Sequence, residues 1–63
     1  MYSDNIRKAR ESKGLSVVDM AKVIRKDPEY VMGVEFGNIN PKVGDIKLMA
    51  MVLNISCHSL LYS

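Results

Sequence analysis

The side chains of this chain with the most reactive chemistry are Cys57 and His58, and they are neighbours in sequence. On a helix, adjacent side chains point in different directions, so the two do not form a nucleophile–base pair. One cysteine and one histidine also fall short of the four ligands of a structural zinc site. The four glycines are scattered as terminators and build no phosphate-cradling loop. Asp19, Asp27 and Glu29 fall where helices start, and no acid–base role is needed to explain them. The expectation is a protein that is not an enzyme, with no catalytic residues, no metal and no cofactor.

What remains is charge. Residues 1–26 hold seven of the nine Lys and Arg against Asp4, Glu11 and Asp19, a local charge of +4. Residues 27–63 hold Lys42 and Lys47 against four acids, a local charge of −2. The overall +2 is too small to argue for nucleic acid by itself. Lys22, Arg25 and Lys26 belong to the basic stretch and Lys42 to the acidic one.

These residues must be positioned by a small scaffold. Sixty-three residues allow one domain, read as 1–63. A chain of this size buries only about 60% of its unfolded surface, which excludes a doubly wound sheet, a barrel or an interdomain cleft. With 48% hydrophobic and 25% charged residues the composition is globular. A lone cysteine cannot form an internal disulfide. No apolar run approaches the ~20 residues that span a bilayer, and the first residues lack an apolar signal core. A cytoplasmic protein with no membrane contact is expected.

The punctuation predicts five short helices. Asp4 is placed to cap a first helix running to Lys13, with Gly14 in the left-handed closing position. Its thin apolar content, Ile6 and Ala9, predicts a helix on the surface. Ser16 and Asp19 have capping-box spacing, with Leu15 and Met20 placed to staple the turn. Asp27 is a favoured cap and Pro28 suits a first helical turn. Val31 and Val34 form that helix's inward stripe, and Gly37 ends it. Ile46, Met49, Ala50 and Leu53 mark a fourth helix closed by Asn54, and Ser56 caps a last turn carrying Leu60 and Leu61. The roughly three residues between the second and third helices favour a sharp crossing of ~90–120°, as in a helix-turn-helix.

The ordered set of residues from Ile6 to Leu61 resembles the Cro/C1-type, lambda-repressor-like family of DNA-binding domains. It begins with Ile6-Arg7-Lys8-Ala9-Arg10 and Lys13-Gly14-Leu15-Ser16, then Met20-Ala21, Val31, Val34-Glu35, Gly37 and Asn40-Pro41. It ends with Leu48-Met49-Ala50, Leu53-Asn54-Ile55-Ser56 and Leu60-Leu61. The resemblance implies an all-α bundle of about five helices with a recognition helix near 28–36. It implies a partly buried ion pair between Arg10 and Glu35. It also implies a positive φ at Arg25, where family members often carry glycine.

By the register of that resemblance, phosphates and base edges meet Val17, Pro28, Glu29, Met32 and Gly33. Those residues are unlike the amides and hydroxyls usual there. Val17 cannot donate through its side chain, and Pro28 has nothing to donate. Glu29 can accept from a cytosine amino group but repels phosphates, and Gly33 offers only its backbone. Met32 and Phe36 should face outward.

The resemblance therefore implies a DNA-binding transcriptional regulator that holds operator DNA as a dimer. Arg7 or Lys8, Lys22, Arg25, Lys26 and Lys42 would anchor the backbone, with N–H groups near Asn38 and Asn40. The last helix, Cys57 to Tyr62, would form the dimer contact. The alternative is a helix-turn-helix repurposed to bind a protein, as an antirepressor or regulator of another factor. It would use the acidic and apolar face of Val17, Glu29, Met32, Gly33 and Phe36.

Overall fold

Four residues in left-handed conformation set the chain's turning points: Gly14, Arg25, Gly37 and Asn54. Each closes a helix by the same pair of backbone bonds. The left-handed residue's N–H donates three residues back, and the next residue's N–H donates five back. Gly14 and Leu15 donate to Glu11 and Arg10, Arg25 and Lys26 to Lys22 and Ala21. Gly37 and Asn38 donate to Val34 and Gly33, Asn54 and Ile55 to Met51 and Ala50. In the computed structural model, which describes residues 2–62, these closures separate α1 (Tyr2–Ser12), α2 (Val17–Ile24), α3 (Pro28–Glu35), α4 (Val43–Leu53) and α5 (Cys57–Tyr62). Met1 and Ser63 lie outside the described residues. None of the described residues is in a strand, and no helix is long and apolar enough to cross a membrane.

The helix starts differ more than the ends. Ser16 makes the complete capping box: its Oγ accepts the Asp19 N–H at 3.0 Å, and Asp19 Oδ2 accepts the Ser16 N–H at 3.1 Å. That backbone bond, followed by the Ser16 side-chain bond, holds the Asp19 carboxyl below its ordinary pKa. Ser56 Oγ likewise accepts the Ser59 N–H at the start of α5. Asp27 has the extended backbone of a cap, but its side chain makes no capping bond. Pro28 already removes one N–H from the first turn, leaving fewer donors for that carboxylate.

Helix α1 departs from the expected start and from the expected surface position. It begins at Tyr2, and Asp4 lies inside its first turn, 3.7 Å from Arg7. The start is held by contacts distant in sequence: Tyr2 Oη donates to Asn40 Oδ1, and Asn5 Nδ2 donates to the Leu60 carbonyl. Ile6 is wholly buried, and polar Ser3 and Arg10 complete the inward face where apolar residues were looked for. The core gathers Ile6 with Met20, Ala21 and Ile24 of α2, Val31 and Val34 of α3, Ile46, Met49, Ala50 and Leu53 of α4, and Leu60 of α5.

Within this core Arg10 and Glu35 form a forked pair, Nε to Oε2 at 2.7 Å and Nη2 to Oε1 at 3.0 Å. Nη1 donates to the Leu15 carbonyl at 2.7 Å. The bonds to Glu35 raise the Arg10 pKa despite burial. No buried side-chain N or O among the described residues lacks a partner. Removing one member strands a buried charge, whereas replacing both by apolar groups is much less costly. Arg10→Met is therefore expected to cost ~3–5 kcal/mol and Arg10→Met with Glu35→Leu clearly less than the sum of the single losses. Urea denaturation of the four proteins measures this, and additive losses would show that the pair is uncoupled.

Candidate nucleic-acid interface

Because Val31, Val34 and Glu35 point inward on α3, the 3.6-residue repeat turns Glu29, Met32 and Phe36 outward. Met32 is 39% exposed and Phe36 71%. Glu29 is exposed in the first turn, and Pro28 is half-buried beside it. Gly33 shares this side of the helix but is only half-exposed, because Ile39 folds back over it. A Cβ there would collide with the Ile39 side chain. The Gly33 carbonyl also accepts the N–H groups of Asn38 and Ile39 at 2.8 and 3.1 Å. Gly33 is thus the point where the loop after α3 is pinned to the helix.

The Asn38 N–H is engaged with the Gly33 carbonyl in the loop. Asn40 is partly engaged too, its Oδ1 accepting from Tyr2. The exposed side chains of Asn38 and Asn40 still border the loop.

The elements on either side of α3 in the chain carry exposed cations. Lys22 is exposed on α2, Arg25 and Lys26 occupy the turn, and Lys42 stands at the start of α4. Among the described residues none of the four has a carboxylate within ion-pair distance; the two pairs present are Arg7–Asp4 and Arg10–Glu35. Arg25 has φ 58 and ψ 43 without being glycine. At the start of α2, Val17 is half-buried and Val18 is 48% exposed. The exposed side chains of α2, the turn and α3 thus include Val18, Glu29, Met32 and Phe36 beside the cations, with Val17 half-buried against the core.

Tyr30 holds this arrangement together, a role the sequence reading missed. Its hydroxyl donates to Asp45 Oδ2 at 2.6 Å and accepts, at 3.4 Å, the Lys42 N–H. Its ring lies 5.5 Å from Lys26 Nζ. Burial, and then the bond to Asp45, raise the Tyr30 pKa, so the hydroxyl stays protonated as a donor. Asp45 is buried in the first turn of α4, where a carboxylate is also favoured by the helix dipole. The signal was an aromatic and an acid on consecutive helices, but their meeting depends on the packing of both α3 and α4 against α2.

A second exposed surface lies on the α4–α5 side. Tyr2, Val43, Ile46, Lys47, Cys57 and Leu61 line a shallow apolar groove, and Val43, Met51 and Tyr62 are each more than 70% exposed. Cys57 is half-buried in the first turn of α5. His58 is exposed and its ring lies 5.1 Å from that of Tyr62. The described residues bring together no group of three or more His, Cys, Asp or Glu that could hold a metal ion.

The family model described as helix-turn-helix matches residues 6–60. Among solved structures, the restriction-modification controller protein C.AhdI from Aeromonas hydrophila is 33% identical. That match covers 95% of this chain and 91% of C.AhdI, with a TM-score of 0.88. SinR, the master regulator for biofilm formation, in complex with DNA, is 27% identical over 97% of this chain and 98% of that one, with a TM-score of 0.88. The SinR/SinI protein complex matches at 26% identity and a TM-score of 0.90; all of this chain aligns with 62% of the matched chain. No curated protein sequence matches the chain.

The left-handed Arg25 yields a direct test of the turn. A non-glycine residue in that conformation costs on the order of 1 kcal/mol. Arg25→Gly is expected to raise stability by up to about 1 kcal/mol, a rise of several degrees in Tm for a domain of ~60 residues. An unchanged or lower Tm in calorimetry would show that the turn carries no such strain.

Proposed function

The chain belongs to the Cro/C1-type helix-turn-helix family, and from that premise we propose that it is a transcriptional regulator binding double-stranded operator DNA as a dimer, with α3 in the major groove. The observation that carries this reading is a set of exposed cations without ion pairs on the elements bordering α3: Lys22 on α2, Arg25 and Lys26 in the turn before α3, and Lys42 at the start of α4. Free of ion pairs, these side chains are available to displace counterions from phosphates. Arg25 keeps its charge in a backbone conformation that glycine would adopt more cheaply, as expected where a side chain is retained for contact. Support also comes from SinR, whose structure with DNA shares this fold.

In this mechanism the cations supply affinity and fix the register of α3, while the α3 side chains discriminate among base pairs. Val17 contributes the backbone N–H groups of the first turn of α2, since its side chain has no donor. Asn38 and Asn40 contribute side-chain amides. Two copies place their α3 helices in successive major grooves about one helical turn apart. The dimer contact belongs to the α4–α5 face, from Cys57 to Tyr62 with Val43 and Met51, where apolar side chains stand exposed. The chain acts as one domain, in the cytoplasm with the DNA, and carries out no catalysis.

A second reading is favoured by Phe36, whose ring is largely exposed on the same side of α3 as Met32 and the exposed acid Glu29. An exposed apolar patch with an acid at its edge suits a protein partner. The SinR/SinI complex is a protein complex of this fold.

Fluorescence anisotropy on a mixed-sequence duplex separates the two. Affinity is expected to fall by orders of magnitude between about 50 and 200 mM salt, and Lys26→Ala is expected to lower the salt slope by about one. No binding at about 50 mM salt with excess protein would overturn the DNA reading in favour of the protein partner.

A further inference from the structure

We propose that α3 reads pyrimidines: in each operator half-site Glu29 accepts the amino group of a cytosine, and Met32 and Phe36 pack against thymine methyl groups on the same strand. This rests on the DNA-binding function proposed above and specifies what that site recognises.

The exposed side of α3 is poor in hydrogen-bond donors. Glu29, Met32 and Phe36 are its outward side chains, and none carries an N–H or O–H donor at neutral pH. Pro28 has no backbone N–H, and Ile39 covers Gly33. In the major groove guanine presents two acceptors, adenine an acceptor beside a donor, cytosine a donor, and thymine an acceptor beside a methyl group. The guanine edge therefore finds no side-chain donor on the exposed side of this helix. A carboxylate facing adenine meets the amino group but also the lone pair of N7, whereas the cytosine amine has no acceptor on its own base beside it. Glu29 thus favours cytosine, and it rejects acceptor-rich edges by repulsion, so discrimination comes as much from exclusion as from attraction.

The spacing suits consecutive bases. At 1.5 Å per residue, Glu29 and Met32 are ~4.5 Å apart along the helix axis and Met32 and Phe36 ~6 Å apart. These rises are comparable with one or two base steps of ~3.4 Å. Two apolar side chains following one acceptor match a cytosine followed by thymines. The repulsion between Glu29 and nearby phosphates is offset by Arg25 and Lys26 at the same end of the helix, with Lys26 positioned over the Tyr30 ring.

The test is selection of preferred sites from a randomised duplex library with the unaltered chain, Glu29→Gln and Met32→Ala. Both positions are exposed, and circular dichroism checks that the variants remain folded. The expected half-site holds cytosine next to thymine. Because glutamine pairs with adenine through N6 and N7, Glu29→Gln is expected to shift the cytosine position toward adenine by about tenfold or more in relative affinity. Replacing the thymines of the selected duplex by uracil is expected to weaken the unaltered chain about fourfold per lost methyl contact. Met32→Ala should be indifferent to uracil at one of those positions. The same selected sequence for Glu29→Gln, or equal uracil sensitivity with Met32→Ala, would overturn the proposal. Salt-dependent binding with no sequence enriched would overturn it and leave DNA binding standing. No binding to any duplex would overturn both and assign the face to a protein.

Discussion

A single guanidinium joins three parts of this molecule. Arg10 on α1 grips Glu35 at the end of α3 with two bonds and spends its remaining contact on the Leu15 carbonyl, just before α2. The position and tilt of α3 relative to α1, and the point where the chain enters α2, are therefore set by one planar side chain. Arg suits this role better than Lys because its five donors lie in a fixed fork. A chain of 63 residues has few apolar side chains to spare, and here each of the three guanidinium nitrogens of Arg10 has a partner, which adds a directional constraint to the apolar packing.

A second polar link completes the scaffold on the opposite side of α3. Tyr30 reaches Asp45 and the Lys42 N–H on α4, so α3 is tied to α1 through Glu35 and to α4 through Tyr30. With Val31 and Val34 in the core, these bonds leave the stripe of Glu29, Met32 and Phe36 as the part of α3 not used for folding. The same division runs through the loop, where the carbonyl of Gly33 and the side chain of Ile39 hold the backbone and leave Asn38 and Asn40 at the edge. Structure and recognition thus use different residues of the same short helix.

This division explains what could be read from the sequence. The terminators Gly14, Gly37 and Asn54, the capping box of Ser16 and Asp19, and the inward stripes of α3 and α4 are local signals, and each lies where its spacing places it. The outward direction of Met32 and Phe36 follows from that stripe by subtraction. The start of α1 was not legible, because Tyr2 and Asn5 are held by Asn40 and Leu60, far away in sequence. The burial of α1 was missed for a related reason: Ser3 and Arg10 occupy its inner face, and a polar residue reads as buried only when its partner is known. The engagement of the Asn38 N–H was within reach, since every helix closure here uses the residue after the left-handed position. The link from Tyr30 to Asp45 depends on the packing of both α3 and α4 against α2 and has no local signature.

If α3 and the cations on the elements bordering it face DNA while the α4–α5 side does not, a nitrogen–proton NMR titration shows it most directly, with the labelled chain and a short mixed-sequence duplex at low salt. Amide shifts are then expected to concentrate at Val17, Val18, Lys22, Arg25, Lys26, Glu29, Met32 and Lys42, with Met51, Asn54 and Ser56 little changed. Shifts centred on Met51 to Cys57 with α3 unperturbed, or no shifts at all, would contradict that placement.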